Sequence, residues 1–135
     1  MINIDNKSNV PIYQQIVDQI KEEILKGLLQ SGDRLPSVRE MSSRITANPN
    51  TVSRAYTELE RQKVIETIRG KGTYVTSDYK PIMEAERMEN LKDNIKKIIV
   101  EAKYMGISKE KIVDMVNSVY ESIGSDSFDE KYSKK

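Results

Sequence analysis

Apolar residues recur along the chain with two different periods, and the changes between them divide it. Ile12, Ile16, Ile20 and Ile24 fall four apart, with Val17 and Leu28 on the flanks. This spacing predicts a helix with one buried stripe, starting near Pro11 and ending at Gly27. Tyr13 lies one position beyond the stripe, where it can face a core or a partner chain. Residues 1–10 are polar and are expected to form a flexible amino terminus. Residues 28–37 read as a loop, punctuated by Gly32 and Pro36.

Ser37 and Glu40 have the spacing of a capping box, which opens a short helix from Val38 to Ile45. Val38, Met41 and Ile45 share one side of it. Thr46-Ala47-Asn48-Pro49 breaks it, and Asn50 or its neighbour caps a third helix over about 51–62. Val52, Ala55, Tyr56 and Leu59 form its buried stripe, leaving small polar and basic residues opposite. Two short helices across a tight break make a helix-turn-helix. Residues 64–75 then switch to strand character: 65–68 and 73–75 pair through an Arg69-Gly70-Lys71-Gly72 turn. Helix, helix, helix, hairpin is the order of a winged helix-turn-helix, which is assigned to residues 11–77.

From Lys80 the character changes again. A long helix is expected to begin at Pro81 and reach about Tyr104. Met88, Leu91, Ile95, Ile98, Ala102 and Met105 are spaced 3, 4, 3, 4 and 3, a heptad seam. Gly106 ends this helix. Ser108 then caps another, with Ile107 and Ile112 at the positions of a hydrophobic staple. Ile112, Met115, Val116, Val119 and Ile123 continue its apolar face. The seam suits packing within one chain or across a two-fold axis, and spacing does not separate the two. Symmetry favours the second use, so 78–124 is read as a helical dimerisation or effector region. Residues 125–135 form a polar tail. The expected fold class is mostly α with a small β-hairpin.

Composition narrows the chemistry. The chain has 135 residues, no cysteine and no histidine. Disulfides, thiol nucleophiles, thiolate zinc sites and imidazole bases are therefore excluded, and nothing points to an enzyme, a metal or another cofactor. No apolar run approaches the length of a membrane span and no leader precedes the first helix, so the cytoplasm is expected. Net charge is only +1, but its distribution is uneven. Residues 34–76 hold eight basic and four acidic side chains, whereas 81–135 hold ten and eleven. A local basic window suits contact with phosphates better than a uniformly cationic protein does.

Within that window the third helix carries Asn50, Thr51, Ser53, Arg54 and Thr57 on its outward, amino-terminal side. An α-helix fits the major groove, and an arginine there can fork to guanine N7 and O6 or lie along a phosphate. Thr51 and Ser53 suit short contacts, helped by free amides in the first turn. Ser37 and Arg39 open the second helix, which meets the backbone beside the groove, and Arg44 lies at its end. Arg69 and Lys71 flank Gly70 at a tip slim enough for a minor groove.

Three segments resemble the amino-terminal domain of GntR-type bacterial transcription regulators. They are residues 32–40 (GDRLPSVRE), 48–56 (NPNTVSRAY) and 69–75 (RGKGTYV), in order and at the family's spacing. The short helical remainder looks like the YtrA subfamily. The resemblance implies a homodimer reading a palindromic operator in double-stranded DNA. It also implies autoregulation and control of a neighbouring operon, often one encoding an ABC transporter. By the family's pattern, Ser37 and Arg39 engage the backbone or nearby bases, Thr51, Ser53 and Arg54 enter the major groove, and Arg69 and Gly70 form the wing tip. Thr46 and Lys63 stand where the family commonly has glycine, which is tolerated if their φ stays negative.

Two readings of function follow. The first is a DNA-binding regulator, more naturally a repressor because a compact dimer on an operator blocks polymerase without a further surface. The alternative is a winged helix that binds protein, distinguished by whether Arg39, Arg54 and Arg69 share one surface. About 55 residues beyond the reader leave little room for a ligand domain, so no effector is assigned.

Overall fold

The structure, a computed structural model, describes residues 2–76 and 85–124. The chain forms two compact units, 1–79 and 80–135.

The first unit is built on α1 (Ile12–Leu25), α2 (Val38–Ile45) and α3 (Pro49–Arg61). The expected stripes are the ones buried: Ile16, Val17 and Ile20 from α1 meet Val52, Ala55, Tyr56 and Leu59 from α3. Helix α3 is the hub, packing on both other helices and on β2 (Ile65–Ile68). Ser37 caps α2 as its spacing predicted. Its hydroxyl accepts the Glu40 amide while the Glu40 carboxylate accepts the Ser37 amide.

The wing differs from the expected hairpin by one strand. Arg34 and Leu35 form β1, which pairs antiparallel with β3 (Gly72–Val75), and β3 pairs with β2 in the order β1-β3-β2. A strand of two residues carries no readable period, so only the pairing of Arg34 with Tyr74 and of Leu35 with Thr73 reveals it. Leu35, on the inward side, is 3% exposed and joins the core.

The amino terminus is also a correction. Residues expected to be flexible lie along α1, with Ile2 buried in the core. Asn3 exchanges two hydrogen bonds with the Gln19 side chain, at 2.8 and 2.6 Å. Asp5 does the same with Gln15, whose amide also reaches the Val10 carbonyl. Each glutamine amide offers a donor and an acceptor and mimics a neighbouring strand to the passing backbone. The signal was two polar residues four apart on α1, which pattern alone assigns to solvent.

The turn between α2 and α3 is tighter than its sequence suggests. Thr46 adopts φ 54° and ψ 52°, and Lys63 after α3 adopts φ 63°. Both are left-handed, contrary to the expectation of negative φ, because the chain must reverse there as it does with the family's glycine. Ser42 hydroxyl to Ala47 carbonyl and Ala47 amide to Ser42 carbonyl hold the turn closed. The cap of α3 is Asn48, with Pro49 in the first turn; Asn50 lies inside the helix.

In the second unit α4 (Ala85–Tyr104) and α5 (Lys109–Ile123) meet at a corner around Gly106, where the Ile107 amide bonds the Ala102 carbonyl at 2.9 Å. Ser108 caps α5 as expected, accepting the Lys111 amide. The two helices do not pack along their lengths. Of the seam residues Ala102 is buried, while Met88, Leu91, Ile95, Ile98 and Met105 are exposed. The expected helix start at Pro81 and the polar tail lie outside the described residues.

Candidate nucleic-acid interface

Helix α3 advances about 100° per residue. Its buried stripe therefore sets Asn50, Arg54 and Thr57 in a row on the opposite side, with Ser53 beside them. All four are exposed, and Thr51 is half-buried on the flank. Arg61 falls on the same row but is held by Glu58, with two hydrogen bonds from its guanidinium to that carboxylate. Arg61 and Gln62 together hold the Glu58 carboxyl down at about 2.

The start of α3 does not offer the free amides expected of it. Pro49 has no N–H, the Asn50 amide bonds the Asn48 side chain at 2.7 Å, and the Thr51 amide bonds the Asn48 carbonyl at 2.9 Å. What this end presents is side chains. Arg54 has no ion pair among the described residues, and its guanidinium carbon sits 3.9 Å above the centre of the Tyr13 ring. Arg39, Arg69 and Lys71 are likewise exposed, with no carboxylate partner among the described residues. Arg44 is exposed at the end of α2, where it and Arg34 help keep the Glu40 carboxyl lowered, behind the larger effect of the Ser37 amide.

Helix α3 is tied to the start of α2 by Tyr56, whose phenol donates to the Pro36 carbonyl at 2.6 Å. This bond sets the segment carrying Ser37 and Arg39 beside α3. The wing tip is a three-residue loop, 69–71, closed by the Lys71 amide on the Ile68 carbonyl at 2.9 Å. Tyr74 stiffens it by donating to the Lys71 carbonyl. Gly70 has φ 80° with open space around it. Gly72 has φ 123°, and a side chain there would come within 2.9 Å of the Arg34 guanidinium. The first glycine serves the turn and the second admits an arginine against the sheet.

Tyr13 is the residue that the sequence placed without a role. An aromatic just off a buried stripe, near the start of the first helix, is the available signal. Its partner is 41 positions away, so no local pattern pairs them.

Among the described residues no group of three acidic side chains is arranged to hold a metal, and no helix is long and apolar enough to cross a membrane.

Residues 12–75 match the family described as bacterial regulatory proteins, gntR family. The chain is also 47% identical to the HTH-type transcriptional repressor YtrA of Bacillus subtilis, over 88% of this chain and 92% of that one. The chain belongs to the GntR family. It is thus a DNA-binding transcription regulator and not an enzyme. Its likeness to YtrA runs beyond the winged helix into α4 and α5.

Solved structures share the fold. The crystal structure of a transcriptional antiterminator from Listeria monocytogenes has a TM-score of 0.83 and 41% identity, covering 91% of this chain and 92% of that one. YtrA from Sulfolobus acidocaldarius, a GntR-family transcription factor, has a TM-score of 0.50 and 38% identity, covering 90% and 98%.

Proposed function

We propose that this GntR-family chain is a homodimeric repressor that binds a palindromic operator in the cytoplasm and controls its own or a neighbouring operon. The observation that carries the reading is the outward row of α3, whose Arg54 keeps its in-plane donors uncommitted among the described residues.

Arg54 reads guanine in the major groove, with Asn50, Thr51, Ser53 and Thr57 making short contacts to bases or phosphates. Arg39 anchors the backbone. Ser37 already accepts a hydrogen bond, yet its hydroxyl proton is still available to a phosphate. Arg44 extends the phosphate contact at the far end of α2. Arg69 and Gly70 enter the adjacent minor groove, and Lys71 meets a phosphate at its edge.

The dimer is supported by what α4 and α5 leave open. Packing between α4 and α5 does not cover the seam, and Leu91, Ile95, Ile98 and Met105 are each at least half exposed. A second copy offering the same face covers it and doubles the reader to match a two-fold operator. Repression follows from occupancy of the site, and the relative YtrA is named a repressor.

Selection of bound fragments from random DNA tests the reading. It should enrich two inverted half-sites about one helical turn apart, or a multiple of that. Recovery of unrelated fragments at background frequency would overturn it.

A further inference from the structure

The structure carries a relationship that the contact residues alone do not explain. Tyr13 is on α1, partly buried and packed against the core. Arg54 is on the recognition helix, exposed, with its guanidinium carbon 3.9 Å above that ring. No carboxylate or carbonyl competes for Arg54 among the described residues.

We propose that Tyr13 is a positioning residue for operator reading, holding the Arg54 guanidinium flat on its ring so that the planar edge points outward. The proposal rests on Arg54 being a base-contacting residue.

A cation above an aromatic face is attracted by the ring's quadrupole, and arginine adds stacking that lysine lacks. Stacking uses the guanidinium's face and leaves its five in-plane N–H groups for a fork to guanine. An arginine already confined before DNA arrives also loses less rotamer freedom on binding. An ion pair would orient Arg54 too, but it would consume the donors that the reading needs. A ring is the partner that orients a guanidinium without occupying its edge. Because the ring belongs to α1 and the arginine to α3, the reader's aim depends on the packing of these two helices.

The test uses the full chain and a double-mutant cycle. Tyr13→Leu keeps apolar bulk and removes the π face; Tyr13→Phe keeps the face and removes only the hydroxyl. Operator and random-fragment affinities are measured at one salt concentration, and again across a salt series. Tyr13→Leu should weaken operator binding roughly 3- to 30-fold, the range of a cation–π contact. It should leave random-DNA affinity and the salt slope as they were. Tyr13→Phe should remain within about twofold of the parent, since phenylalanine presents the same face. In an Arg54→Ala background Tyr13→Leu should have no further effect.

Unchanged operator affinity in Tyr13→Leu, with Arg54→Ala strongly impaired, overturns the positioning role alone. Equal losses from Tyr13→Leu with and without Arg54 assign the tyrosine to general stability and overturn it too. Tighter binding by Tyr13→Leu would mean that the ring sequesters Arg54, again against the proposal. If Arg54→Ala itself binds normally, the base-reading role of Arg54 fails first. Should Tyr13→Leu not fold, the parent protein decides by NMR. A stacked Arg54 has its side-chain δ protons shifted upfield by the ring current, and unshifted resonances overturn the proposal.

Discussion

The Tyr56 phenol donates to the Pro36 carbonyl at 2.6 Å, joining the middle of α3 to the residue before the α2 cap. Tyr56 is only 6% exposed, and burial pushes its hydroxyl up to about 12 from 10. The folded state thus holds this proton more tightly than the unfolded chain. Its contribution is fully present below pH 10 and is lost as pH rises towards 12. Tyr56→Phe should cost about 1 kcal/mol at neutral pH, seen as a lower urea midpoint, and should flatten the alkaline loss of stability. An unchanged alkaline profile in the variant would place the transition elsewhere.

Glu58 gives the opposite sign. Arg61 and Gln62 hold its carboxyl at about 2 rather than 4.5. The stabilisation is present above pH 4.5 and fades as pH falls towards 2. The pair is on the surface, so Glu58→Gln should cost no more than about 1 kcal/mol at pH 7. The difference from the parent should shrink in acid, and a difference that persists at pH 2 would refute the ion-pair origin.

Thr46 and Lys63 hold left-handed backbone at φ 54° and 63°. That region costs a non-glycine residue about 1–2 kcal/mol, partly offset by the greater unfolded-state freedom of glycine. Thr46→Gly should therefore stabilise the fold by about 0.5–1 kcal/mol, with Lys63→Gly gaining less because lysine is not β-branched. Denaturant melts at equal slope would show it. A loss of stability in Thr46→Gly would mean that the threonine side chain contributes more than its backbone costs.

Contacts to bases and to phosphates should separate by salt. Arg54→Ala should weaken operator binding by about 1–3 kcal/mol and relax sequence preference at one base pair of each half-site. Arg39→Ala and Lys71→Ala should weaken operator and random DNA alike and lower the salt slope by about one each. Equal weakening on both DNAs by Arg54→Ala would reassign it to a phosphate.

Ile98 lies 59% exposed on the open face of α4. Ile98→Glu should leave the winged helix folded, with its circular dichroism intact, while shifting the chain to monomer in sedimentation. A second charge on a two-fold seam faces its own copy, so the penalty counts twice. A dimer that survives Ile98→Glu would move the interface off this stripe.

Most of the reader was legible in the sequence because helices and caps are local. A stripe at four-residue spacing, a Ser37–Glu40 box and a glycine-tipped hairpin each declare themselves within a dozen residues. The outward row of α3 followed from its buried one. The seam on α4 was equally visible as a stripe, while the absence of α5 from it was not.

Tertiary structure decided what pairs residues distant in the chain. Strand β1 exists because β3 supplies its hydrogen bonds. Ile2 is buried because Gln15 and Gln19 satisfy the backbone beside it. Thr46 is left-handed because two packed helices leave the turn no other path. Tyr13 and Arg54 meet because α1 crosses α3, 41 positions away. Periodicity records which face of an element is apolar; only packing determines what that face, and its neighbouring polar residues, will touch.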